Sequence, residues 1–151
     1  MIKFLLLFLF PLFAFGQNYS SNQYLADQAA ILSGYTQPAT LPEVREVDPA
    51  TMSKLVCHAR PICHVIGAYL DQDVVYIRKD LDPNIHDNIL LHEYVHWLQH
   101  HSGKFDLNNC NDTIVREREA YQVQNRYIAE VQHGFEFLIL PPMTCENTPL
   151  G

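Results

Sequence analysis

The sequence predicts an α+β domain in which a small sheet with a hairpin packs on a histidine-rich helix, and a second helix brings carboxylates alongside. Three observations predict it. Apolar residues recur at helical spacing in three segments. Short Val, Ile and Tyr runs bounded by turn residues lie between the first two of these helices. Helix punctuation is placed to match, with Asp-Pro pairs at 48–49 and 82–83 and glycines at 34, 103 and 134.

Residues 1–16, MIKFLLLFLFPLFAFG, carry a single charge, Lys3, and an apolar run that ends at Ala14-Phe15-Gly16. That is the pattern of a bacterial-type signal peptide, and Pro11 and the polar boundary at Gln17 leave it too short for a transmembrane anchor. Cleavage after Gly16 is expected, leaving one domain over 17–151 that is secreted or periplasmic and keeps no stable membrane anchor. In that domain residues 22–33 place Leu25, Ala29, Ile31 and Leu32 as a short helix stopped by Gly34. Residues 41–47 alternate like an edge strand, and Asp48-Pro49 opens a short helix to about Lys54. Residues 63–70 and 74–79 read as a hairpin about Asp71-Gln72-Asp73. Asp82-Pro83 opens a helix that runs to about His101 and ends at Gly103. Asn111-Asp112 caps the last helix, from Thr113 to about His133, and the apolar tail 135–140 is expected to lie extended on the core.

The whole chain has 10 Lys and Arg against 17 Asp and Glu, a formal net charge of -7, and losing Lys3 with the signal deepens the deficit. An acidic surface without a Lys/Arg cluster argues against nucleic acid and anionic lipid as partners, because both draw affinity from neutralised phosphates. In an oxidising compartment Cys57, Cys63, Cys110 and Cys145 are expected as disulfides. Of the three pairings, the favoured one staples Cys57 to Cys63 across Ala59-Arg60-Pro61 and ties Cys110 to Cys145.

The chemistry concentrates at His92-Glu93-Tyr94-Val95-His96. Histidines four apart on a helix project from one face a turn apart, as two ligands of one tetrahedral zinc require. Glu93, about 100° away round the helix, stands off the ligand axis but near a water on the metal. Leu90, Leu91, Val95 and Leu98 bury this stretch, and burying unpaired imidazoles costs desolvation. His86, His100 and His101 read as ordinary solvated or hydrogen-bonded histidines, and Tyr94 and Trp97 as core. A third ligand is needed downstream. Gln99 and Ser102 stand where a further histidine pattern would continue, so the ligand is expected from the acidic run Arg116-Glu117-Arg118-Glu119.

An HExxH helix followed on the next helix by Glu117-x-x-Ala120 resembles the gluzincin branch of zinc metallopeptidases, in particular its minimal single-domain members. The resemblance covers roughly residues 62–131. It implies a zincin-like fold, one Zn²⁺ held by His92, His96 and Glu117, close helix packing at Ala120, and peptide-bond hydrolysis by zinc-activated water with Glu93 as general base. Glu119 is the alternative third ligand; it lies about 200° round the helix from Glu117, so only one of the two can bind. The family often has Asp four residues after the ligand, where this chain has Tyr121, and Tyr121 or Gln124 is the candidate to hold a ligand histidine. Tyr127 and His133 are candidates for oxyanion stabilisation. An extended peptide would lie along an edge strand, for which Val74-Val75-Tyr76-Ile77 is the segment expected, an ordinary core strand being the alternative. The resulting expectation is a monomeric enzyme acting on a peptide or protein substrate. A zinc-stabilised secreted binding module is the competing class, and Glu93, a carboxylate that such a module does not need for zinc, favours the enzyme.

Overall fold

The structure is a computed structural model that describes residues 21–57, 65–70, 72–135 and 143–145. The signal segment, the Cys57–Cys63 pairing and residues 136–140 of the expected tail lie outside those residues. The chain runs α1 (Ser21–Ser33), β1 (Glu43–Val47), α2 (Pro49–Cys57), β2 (Gly67–Leu70), β3 (Val74–Arg78), α3 (Pro83–Ser102) and α4 (Cys110–Arg126), and a π-helical turn, Tyr127–Val131, extends α4. The expected α+β layout is present, with four α-helices and a three-stranded sheet among the described residues. No described helix is long and apolar enough to cross a membrane.

Local chemistry accounts for the boundaries. Asp48 Oδ1 accepts the Thr51 N–H at 2.9 Å and starts α2, and Asp82 Oδ1 accepts the Asn84 N–H at 3.0 Å with Pro83 in the first turn of α3. Gly103 closes α3 in the left-handed region at φ +64°, where a side chain would be strained. The cap of α4 differs from expectation. Asn109 Oδ1 accepts the Asn111 N–H at 2.9 Å, so the helix begins at Cys110. Asp112 instead accepts the Asp106 N–H at 2.8 Å and ties back the preceding loop.

Two apolar positions are also corrected. Ile31 is 70% exposed, because α1 buries Leu25, Ala26, Ala29 and Leu32 and Ile31 projects from the far side. Phe135 is 94% exposed, so the tail does not enter the core at its first residue. The last helix also loses α geometry before His133. Gln132 N–H bonds to the Tyr127 carbonyl, and Gly134 N–H reaches the Ile128 carbonyl at 2.8 Å.

In the sheet the order is β1-β3-β2, with β1 parallel and β2 antiparallel to β3. Residues 41–47 do form an edge strand, trimmed to 43–47. Val74–Ile77, expected as an edge strand or else as an ordinary core strand, is the central strand, paired on both sides, and Val75 and Ile77 are wholly buried. Its unbroken apolar character is that of a strand covered on both faces.

α3 is the axis of the domain. It packs on α1, α4, β2 and β3, and every residue from Leu90 to Gln99 is buried. A helix closed off on all sides needs no single apolar stripe. Trp97, Tyr94, Leu90, Leu91, Val95 and Leu98 form the core with Leu25 and Ala29 of α1, Val75 and Ile77 of β3, and Ala120 and Val123 of α4.

The expected Cys110–Cys145 disulfide is formed, with Cα atoms 5.6 Å apart. It closes a 35-residue separation. Replacing Cys145 by Ser should lower unfolding free energy by about 4 kcal/mol through the lost loop constraint; urea denaturation of both proteins checks this, and the α3 site should survive under native conditions.

Candidate metal centre

His92 and His96 leave the buried side of α3 one turn apart and meet α4 across the helix pair. Their Nε2 atoms lie 3.1 Å from each other. Glu117, from the second turn of α4, places Oε2 3.5 Å from His92 Nε2 and Oε1 3.2 Å from His96 Nε2. His92, His96 and Glu117 thus form a group able to hold a metal ion. One ligand atom from each of the three residues lies within 4.8 Å of the other two, close enough for a single ion to be reached by all three.

Proton placement makes the same point. His96 Nδ1 faces Gln99 Oε1 at 2.9 Å, and His92 Nδ1 faces Gln124 Oε1 at 3.1 Å. The Gln99 amide is oriented by the acceptors on its Nε2, so its Oε1 accepts from His96 Nδ1–H and the His96 Nε2 turns inward. The Nε2 atoms of His92 and His96 and the Glu117 carboxylate thus face one another at a place where a cation could be held.

Glu93 stands apart from the three donors, buried under β2. Its Oε2 accepts the Tyr69 N–H at 2.8 Å. β2 turns residues 66, 68 and 70 toward β3, since Arg78 N–H bonds to the Ile66 carbonyl, so Tyr69 directs its N–H away from the sheet. Burial pushes the Glu93 carboxyl up to about 7; His92 opposes this and the Glu117 charge adds to it.

The other candidates are sorted by geometry. Glu119, the alternative ligand, is turned away: it accepts from Lys104 Nζ and Tyr35 OH, each at 2.6 Å, and from Gln99 Nε2 at 3.2 Å. Of the two residues proposed to hold a ligand histidine, Gln124 does so, while Tyr121 packs its ring edge-on to His92 with centroids 4.7 Å apart. Ala120 is fully buried on the face of α4 that joins the core, as the close helix packing requires. Tyr127 is buried in the core cluster, where burial and then Tyr24 and Asp87 hold its proton on, and His133 is exposed beyond the π-helical turn, so neither lies at the centre. Tyr121 does: burial and the charges of Glu117 and Glu93 hold its proton on. His86 sits by Asp87 and Glu46, His100 against Tyr69, and His101 on Asp73 at 2.6 Å, all apart from the cluster.

Two participants were not anticipated. In the sequence Gln99 marks only the glycine position at which a longer histidine motif fails to continue, although a glutamine three residues after a buried ligand, on the same helix face, is a signal for a side-chain partner. Gly67 was overlooked in β2, where a glycine marks close approach. No family model matches the chain, and no curated protein or solved structure matches it. The donor set and its geometry alone define the site.

A Cβ at Gly67 would overlap Ile89 Cγ2 and lie 2.9 Å from Glu93 Oε1. Gly67→Ala should therefore lift β2 from α3 and cost about 1–3 kcal/mol. Amide hydrogen exchange checks the local effect: Tyr69 should lose protection while Trp97 and Leu98 keep theirs.

Proposed function

We propose that the chain is an exported zinc metallohydrolase, a peptidase that acts as a monomer on peptide or protein substrates. The observation that carries this reading is Glu93: a buried carboxyl pushed up to about 7, beside a three-donor group, yet not itself one of the donors. Two imidazoles and a carboxylate within reach of one ion make a donor set that zinc accepts, and three protein ligands are the number a catalytic zinc would take. Zinc, when bound, brings a water's acidity toward neutral and polarises a carbonyl. His92, His96 and Glu117 hold the ion in this reading. Glu93, with a pKa matched to neutral pH, takes the proton of the attacking water and returns it to the leaving amine. The Tyr121 phenol, which keeps its proton beside Glu117 and Glu93, supplies the hydrogen bond to the developing oxyanion. β2, the strand at the sheet margin nearest Glu93, replaces Val74–Ile77 as the strand along which an extended peptide aligns. Export rests on the pattern of residues 1–16 and agrees with the Cys110–Cys145 disulfide.

One observation favours the second reading, a zinc-stabilised binding module. Glu93 has a structural partner in the Tyr69 N–H, a use that a scaffold without catalysis also has for a carboxylate here, whereas its raised pKa is what the enzyme reading alone requires.

Metal analysis and peptidase assays on the same three proteins decide between them. Wild type and Glu93→Gln should each hold one equivalent of zinc, and His92→Ala should hold none. Turnover of a mixed peptide library should fall at least about a hundredfold in Glu93→Gln. Zinc-loaded wild type with no cleavage above Glu93→Gln would establish the binding module; zinc-free wild type would remove both readings.

A further inference from the structure

Gln99 is 1% exposed, and its amide is fully engaged. Nε2 donates to the Arg116 carbonyl at 3.0 Å and to Glu119 Oε2 at 3.2 Å. Both partners are acceptors, so the NH₂ end of the amide must face them and Oε1 must face His96 Nδ1. The usual uncertainty over which way an amide points is removed by chemistry. Gln124 has no such anchor: its Nε2 is buried without a hydrogen-bond partner. The two ligand histidines are therefore held unequally, His96 through a pinned amide and His92 through one attached at a single end.

Glu119 is held in turn from two other parts of the chain. Tyr35, just after α1, and Lys104, just after α3, donate to its two oxygens. Lys104 also reaches the Tyr35 hydroxyl at 3.3 Å. A line of hydrogen bonds thus runs from a clamped carboxylate through a neutral amide to an imidazole, and the anion at its far end makes Gln99 Oε1 a stronger acceptor.

We propose that Glu119 is a positioning residue for the metal centre: acting through Gln99, it fixes His96 in the Nδ1–H form and so raises the site's affinity for its ion. The inference rests on the metal-centre reading, but its first half, the tautomer, concerns the metal-free protein alone. The chain of contacts gives His96 a carboxylate's influence without bringing a second negative charge against the cluster, where Glu117 and Glu93 already lie close. It also assigns work to the residue that competed with Glu117 as ligand.

Long-range ¹H–¹⁵N NMR of the histidine rings reads the tautomer directly in the metal-free protein, and chelator competition reads Zn²⁺ affinity. In wild type His96 should be a single Nδ1–H tautomer. In Glu119→Gln it should become a mixture, His92 should be unchanged, and Zn²⁺ affinity should fall about tenfold, at the lower end for outer partners of metal ligands. The double variant Gln99→Glu with Glu119→Gln moves the charge one step inward and should recover most of the affinity, which a merely structural role for Glu119 would not allow. If Glu119→Gln fails to fold, Tyr35→Phe removes one of the clamping donors and should shift both readings in the same direction. An unchanged His96 tautomer, or a changed tautomer with unchanged affinity, overturns the proposal. Wild type that shows the expected tautomer but takes up no Zn²⁺ overturns the metal-centre reading and, with it, the affinity half alone.

Discussion

Four polar side chains, His92, Glu93, His96 and Gln99, lie within the stretch of α3 that is closed to solvent. A buried polar group without a partner costs on the order of 1–3 kcal/mol, and a buried charge costs more. Each of the four must be met by something packed on the helix. α4 supplies Gln124 and Glu117 to the histidines and Glu119 to Gln99, while β2 supplies a backbone N–H to Glu93. The arrangement of strands and helices round α3 is thus constrained by hydrogen-bonding demand as much as by apolar packing. The core and the site are two faces of one helix.

The charge balance of the centre follows from the choice of amides over carboxylates beside the histidines. One carboxylate, Glu117, faces both imidazoles closely, and a second, Glu93, is pushed toward its neutral form by burial. Two further anions on the Nδ1 atoms would have to be desolvated in the same small volume, at a cost that mutual repulsion would raise. Gln99 and Gln124 orient the rings without that cost. Only on the His96 side is an anion brought near, and there it is screened by Lys104 and set one amide away.

Much of this was legible in the sequence because the signals were local. Asp-Pro pairs and glycines marked the termini of α2 and α3 to within a few residues, and the i, i+4 histidines marked the site because helical geometry turns spacing directly into direction. Glu117 over Glu119 was a matter of which side of α4 faces α3, and the motif pointed the right way. What failed was non-local. Nothing in the string Val74-Val75-Tyr76-Ile77 tells whether it is flanked by one strand or two, since that depends on β1, some thirty residues earlier in the chain, returning parallel to it. Ile31 misled because its apolarity was counted without its angle, and Gln99 was passed over because its partners, Arg116 and Glu119, lie on another helix.

A short strand at a sheet margin is ordinarily a hazard, for its outward amides invite pairing with any other extended chain, including a second copy of the same protein. β2 is only four residues long, and its outward Tyr69 amide is already spoken for by Glu93. Any strand that comes to lie there must compete with the protein's own carboxylate for that amide, and in displacing it would turn Glu93 loose toward the histidines. Protection against indiscriminate strand pairing and release of the Glu93 carboxyl would then be alternative states of a single hydrogen bond.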